Sequence, residues 1–207
     1  MQDEVIFYTN PQSRGRLVRW MLEEVGAPYR TEVLEYDGTM KAPAYLKINP
    51  MGKVPAIVHR GEVVTECAAI CAYLADTFPQ AGLAPLPEER ASYYRWMFFA
   101  AGPLESAITD FKALGVEPDA QKQKMVGYGT YAAVLDNLQA WLREHTYICG
   151  ERFTAADIYV GAQITWGVEF GTIEKRPEFI DYAKRVTARD AHRRATAKDD
   201  ALEEEKV

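Results

Sequence analysis

The sequence predicts an α/β N-terminal domain, ordered βαβ then ββα, followed by an all-α C-terminal helical domain. Three observations carry that reading. Strand-like and helix-like apolar periods alternate up to about residue 78. A stretch rich in proline and glycine, "FPQAGLAPLPEER" (78–90), then interrupts them. Beyond it the apolar residues keep helical spacing with little strand signal. The expected boundaries are 1–79 for the first domain and 88–207 for the second.

Each element follows from local chemistry. "VIFYT" (5–9) is β-branched and aromatic, so it reads as a strand. "NPQS" is a turn cluster, after which Leu17, Met21 and Val25 recur every four residues until Gly26 stops the helix. "RTEVLEY" (30–36) alternates as a second strand, and strand–helix–strand with short links implies a parallel, right-handed unit. The polar stretch 37–52 holds at most a short irregular helix. "VPAIV" (54–58), the turn "HRGE" and "VVT" (63–65) read as an antiparallel hairpin. Cys67, Ile70, Cys71, Leu74 and Phe78 then line one helix face. In the second domain helical patterns run over about 88–112, 120–144, 154–167 and 178–190. Thr154 and Asp157 in "FTAAD" (153–157) have the spacing of a capping box. The end, "KDDALEEEKV" (198–207), lacks an apolar stripe and is expected to fray.

Composition narrows the function. The 207 residues are 48% apolar and 26% charged, which suits a packed core. A net charge of -6 argues against a general nucleic-acid binder. No apolar run reaches the roughly 18 residues of a membrane span, and the acidic start "MQDEVIFYTN" is unlike a secretory signal, so a cytoplasmic protein is expected. Three cysteines without a CxxC fit reduced thiols. The three histidines are scattered, with no zinc spacing. "GYGTYA" (127–132) sits in a helical pattern with no strand before it, so it fails as a dinucleotide turn. No metal, nucleotide or flavin is expected.

The most informative residue is Pro55, which opens a core strand although proline donates no ladder hydrogen bond. About 5–6% of X–Pro bonds are cis, so the bare expectation is trans. A cis bond here would turn the chain sharply and leave the N–H and C=O of Val54 facing outward, where an extended peptide pairs as an added strand.

"NPMGKVPAI" followed by "TECAAICAYLAD" strongly resembles the N-terminal domain of cytosolic (bacterial-type) glutathione transferases. "SRGRLVRWMLEEVGAPY" resembles the first helix of that family, and "GERFTAADIYVG" the capping motif of its helical domain. The match spans about residues 5–190. It implies the glutathione transferase fold, with a thioredoxin-like first domain, a homodimer, and glutathione as co-substrate. It also implies that Val54 pairs with the cysteine moiety of glutathione beside Pro55, that Glu66 and Cys67 hold the γ-glutamyl end, and that Lys53, with Lys41 as a weaker candidate, holds the glycyl carboxylate. The family usually has serine where this chain has Cys67, and a thiol donates a weaker hydrogen bond than a hydroxyl. Arg14 and Arg16 are read only as contributors to the local field.

Such chemistry needs a thiolate. A free thiol has a pKa near 8.5 and is only about 3% ionised at pH 7; lowering that pKa by about two units takes about 2.7 kcal/mol. One hydrogen bond to a charged group supplies about 1.5–3 kcal/mol. Three side chains compete for the role, in the order Ser13, Asn10, Tyr8; the first two are also ordinary turn or capping residues, and Tyr8 has a core reading. The turn has no cysteine, which disfavours thiol exchange and favours transfer of glutathione to an electrophile. Isomerase, peroxidase and dehalogenase side activities stay open. Tyr94, Phe98, Phe99, Trp166 and Phe170 are candidates for an apolar electrophile pocket between the domains, against a competing reading as helix-packing core. The rival function is a non-catalytic binding module on the same fold.

Overall fold

The computed structural model describes residues 3–204. They form two compact units: residues up to Ala84 together with those from Thr187 onward, and Pro85–Val186.

The first unit begins with β1 (Val5–Thr9), α1 (Gly15–Val25) and β2 (Tyr29–Val33). A single turn at Thr39–Lys41 leads into α2 (Pro43–Leu46), then β3 (Ala56–His59), β4 (Glu62–Thr65) and α3 (Cys67–Thr77). The strands lie in the order β2-β1-β3-β4. β1 pairs in parallel with β2, and the β1/β3 and β3/β4 pairs are antiparallel, as a βαβ-ββα chain requires. Alternation along β1 sends Val5 and Phe7 to the side covered by α1 and α3, where Leu17, Val18, Met21, Ile70, Cys71 and Leu74 close the core. On the opposite side Leu34, Met40, Tyr45 and Ala56 form a smaller cluster, packed by Tyr8, Ile48 and Val54.

The second unit consists of α4 (Arg90–Phe99), α5 (Glu105–Ile108), α6 (Tyr131–Glu144), α7 (Ala155–Phe170) and most of α8 (Pro177–Thr187). Wider helical turns at Ala100–Leu104 and Thr109–Ala113 flank α5, the first of them containing Pro103. α7 is buried along most of its length. Its first turn has the expected capping box: the Asp157 carboxylate accepts from the Thr154 backbone N–H at 2.9 Å. The carboxylate also accepts from Ile148 N–H at 2.7 Å and the Tyr182 hydroxyl at 2.8 Å.

Two expectations need correction. The helical pattern over 120–144 becomes a helix only from Tyr131, because Gly129 takes the left-handed conformation at φ +70° and Thr130 caps the helix by accepting from Ala133 N–H at 3.1 Å. The segment expected to fray, 198–207, is helical as far as it is described: residues 198–204 are the last part of α9 (Asp190–Glu204), which belongs to the first unit and packs along α1, and residues 205–207 lie outside the described residues. α9 has no broad apolar stripe because ion pairs hold it. Glu24 pairs with Arg189, Glu23 with Arg194 and Lys198, Arg19 with Asp199, and Arg16 with Asp200 and Glu203. Numbers rise on α9 as they fall on α1, so the two helices run antiparallel.

Candidate functional site

Tyr8, Ala56 and Thr65 lie side by side in the sheet. At that end of the sheet β1 runs on into the turn at Asn10, the loop with Val54 leads into β3, and β4 passes through Glu66 into α3 at Cys67. This end collects the turn after β1, the loop before β3 and the N-terminus of α3.

The Val54–Pro55 peptide is cis. Among the described residues, no hydrogen bond engages the N–H or C=O of Val54. The loop leading to it is held from α2. The Lys53 carbonyl accepts from the Tyr45 hydroxyl at 2.5 Å and from Asn49 Nδ2 at 2.8 Å. Burial pushes the Tyr45 phenol up to about 12, so it stays a donor at physiological pH. Lys41 Nζ donates to the Gly52 carbonyl at 2.6 Å, which gives this residue a place in the loop itself. The Lys53 side chain is exposed, and Pro55 is buried.

Glu66 precedes α3 with φ 65° and ψ 119°. A non-glycine residue in that region is strained, and such strain gathers at ligand clamps and switches. Its side chain is exposed, and Cys67 follows as the first, half-buried residue of α3.

The turn after β1 is tightly bonded. Asn10 is 4% exposed; its Nδ2 donates to the Leu34 carbonyl at 2.7 Å and its Oδ1 accepts from Gln12 N–H at 2.9 Å. The Ser13 hydroxyl donates to the Asn10 carbonyl at 2.6 Å and accepts from Gly15 N–H at 2.9 Å. Arg14, not Ser13, occupies the N-cap position of α1, and it makes no side-chain cap bond. Tyr8 is half-buried, its ring 5.4 Å from that of Tyr45.

Sequence reasoning passed over Gly15. A Cβ there would come within 1.9 Å of Thr9 Oγ1 and 3.0 Å of Ser13 Oγ, so any side chain at 15 would displace the Thr9 side chain where α1 starts against the end of β1. The only local signal was a glycine between two arginines. Arg16 was read as background field, whereas its Nε donates to the Pro11 carbonyl at 2.6 Å inside the turn.

Burial pushes the Cys71 thiol well up and the Cys149 thiol up to about 11, which makes both poor nucleophiles. Among the described residues no cluster of His, Cys, Asp or Glu is arranged to hold a metal ion, and no helix is long and apolar enough to cross a membrane. In the second unit Tyr94, Phe98 and Phe170 are 51%, 72% and 74% exposed, which removes the core reading for these three. Phe99 and Trp166 are half-buried, and Phe99 packs edge-on against Trp96.

A thioredoxin-like sheet with its open main chain beside a helix N-terminus, joined in one chain to a helical unit, defines a class of glutathione-dependent proteins, and comparison with known proteins agrees. The family description "Glutathione S-transferase, N-terminal domain" matches residues 15–77, and "Glutathione S-transferase, C-terminal domain" matches 103–190. Glutathione S-transferase 3 of Zea mays is 32% identical over 152 residues, covering 68% of this chain and 67% of that protein. The solved glutathione transferase of Methylococcus capsulatus is 27% identical with a TM-score of 0.76, covering 95% of this chain and 99% of the other. The theta class glutathione S-transferase of Xanthomonas axonopodis pv. citri, solved with glutathione bound, is 28% identical with a TM-score of 0.72, covering 95% and 98%. The chain belongs to the glutathione S-transferase family.

Proposed function

We infer that the chain is a glutathione S-transferase that transfers or adds the glutathione thiolate to a small apolar electrophile. The observation that carries this reading is Val54, whose main-chain donor and acceptor lack protein partners directly after a loop whose Gly52 and Lys53 carbonyls are both engaged. A buried or half-buried peptide group left unpaired is costly, and an extended tripeptide satisfies both of its groups at once. Glu66 would pair with the ligand's ammonium, the N-terminus of α3 at Cys67 with its γ-glutamyl carboxylate, and Lys53 with its glycyl carboxylate. Relatives named as transferases, one of them solved with glutathione, support the same reading.

Ser13 is placed first as the thiolate's partner. Its hydroxyl now donates to a neutral carbonyl, a bond worth about 0.5–1.5 kcal/mol, whereas a bond to an anion contributes about 1.5–3. The exchange therefore favours the thiolate. Asn10 has a second Nδ2 hydrogen, but the group is nearly buried and both its polar atoms are already engaged. Tyr8 is third, since its ring packs with Tyr45. The exposed aromatics Tyr94, Phe98 and Phe170, with Phe99 and Trp166, are the candidates to receive the electrophile. A homodimer and a cytoplasmic location complete the proposal.

Steady-state turnover of glutathione with an activated aryl chloride tests it. Ser13→Ala is expected to lower kcat/KM by about 10- to 100-fold, the loss of one charged hydrogen bond. Unchanged kinetics in both Ser13→Ala and Asn10→Ala would remove both residues from the chemistry.

A further inference from the structure

α9 reaches the proposed reaction turn through one side chain. Arg16 lies in the first turn of α1, with its side chain 25% exposed. Its guanidinium forks two ways: Nε donates to the Pro11 carbonyl at 2.6 Å, and Nη2 donates to Asp200 Oδ1 at 2.8 Å, with Glu203 Oε1 at 3.3 Å. Pro11 sits between Asn10 and Ser13. Besides the bonds within the turn itself, its other fixed points come from the segment after β2: Asn10 Nδ2 donates to the Leu34 carbonyl, and the Tyr36 hydroxyl donates to the Gln12 carbonyl at 3.1 Å.

We propose that α9 is a positioning element for the proposed thiolate turn, with Arg16 as the link and Asp200 and Glu203 as its anchors. The proposal rests on the reading of that turn given above. The register of α9 on α1 is set independently by the next residue. Asp199 is 0% exposed and pairs with Arg19, 2% exposed, at 2.8 Å, while Arg19 Nη1 donates to Thr31 Oγ1 at 3.1 Å. With Asp199 fixed, Asp200 and Glu203 fall beside Arg16. Their attraction holds the guanidinium in the one rotamer that also meets Pro11. Without them a flexible side chain is released to solvent, and the Pro11 carbonyl loses its donor. The turn then keeps its internal bonds and its ties to the segment after β2 but loses its tie to α9, and the Ser13 hydroxyl has a wider range of positions. Lysine cannot replace the link, because a point charge does not bridge a carbonyl and a carboxylate as a planar fork does.

The test uses the full chain with Asp200→Ala/Glu203→Ala, which leaves the Arg19–Asp199 pair intact, and Arg16→Lys as a second variant should the first fold poorly. Asp200→Glu in the Glu203→Ala background serves as the conservative rescue. Three quantities are read for glutathione and an activated aryl chloride: kcat, KM for glutathione, and the pH profile of kcat/KM. Misplacement of a reacting group by about 1 Å costs up to 10²-fold. The expected result is therefore a roughly tenfold fall in kcat with KM changed less than about twofold. The rising limb of the profile should move to higher pH, and Asp200→Glu should restore most of the loss. Raising salt should mimic the double variant in the wild type and change the variant little, since it screens a partly exposed pair. If Ser13→Ala moves the profile and neither Asp200→Ala/Glu203→Ala nor Arg16→Lys does, the positioning role is overturned while the turn keeps its chemistry. If none of the three moves it, the reading of the turn fails and the link fails with it.

Discussion

Replacing Asp157 by alanine removes an acceptor on which the second unit converges. Its carboxylate takes Ile148 N–H, Thr154 N–H and the Tyr182 hydroxyl at 2.7, 2.9 and 2.8 Å, and the Thr154 hydroxyl at 3.2 Å. All four groups are in fully buried or nearly fully buried residues, where water cannot substitute. The Thr154 hydroxyl can rotate, so three donors are orphaned. At about 1–3 kcal/mol each, they cost about 3–9 kcal/mol. Removal also relieves a burial penalty. Burial is the larger influence on this carboxyl and pushes it from 3.8 up to about 6 against the pull of its donors, so part of that cost is offset. The net loss is expected at the low end of the range, about 3 kcal/mol, which lowers Tm by about 6–12 °C in a chain of this length. Scanning calorimetry at neutral pH measures it. Thr154→Ala, which leaves the carboxylate's other donors in place, should lose only about 0.5–2 kcal/mol and little activity. Equal losses in Asp157→Ala and Thr154→Ala would refute the assignment of Asp157 as the hub. The pH dependence gives a second check. A carboxyl raised in the folded state contributes stability that is full below about 3.8 and lost as pH rises through about 6. The stability of the wild type relative to Asp157→Asn should therefore fall by about 3 kcal/mol across that window.

Other predictions concern the first unit. Asp199→Ala leaves the Arg19 guanidinium buried without its counter-charge and should cost about 3–5 kcal/mol by denaturant unfolding, whereas Arg19→Met/Asp199→Leu should recover most of it. Gly15→Ala should cost about 1–3 kcal/mol and lower turnover, because the added methyl meets Thr9 Oγ1 and Ser13 Oγ; Thr9→Ala in the same chain should relieve part of both losses.

How far the sequence reveals this molecule depends on how local each signal is. β1 was legible as a β-branched and aromatic run, and α1 because its apolar residues repeat every four positions. The hairpin of β3 and β4 was legible from its turn, and the start of α7 from Thr154 and Asp157. α9 was not, because what fixes it is charge matched across about 180 residues. Arg16 and Arg19 answer Asp200 and Asp199, and Glu23 answers Arg194 and Lys198. No window along the chain contains both sides of that pattern. The start of α6 was misjudged because the apolar period outweighed Gly129 and the capping threonine beside it. For the site, Pro55 stood out by residue type, Val54 by its place before that proline, and Glu66 by the family resemblance. The role of Gly15 depends on how near Thr9 comes, and that of Arg16 on a carbonyl and two carboxylates meeting in space.

The most direct measurement is a titration of thiolate absorbance for glutathione bound to the full chain, with Ser13→Ala in parallel. The account predicts a bound-thiol pKa about two units below the free value of about 8.5, returning most of the way in the variant. A bound thiol that titrates near 8.5 in the wild-type chain would contradict it.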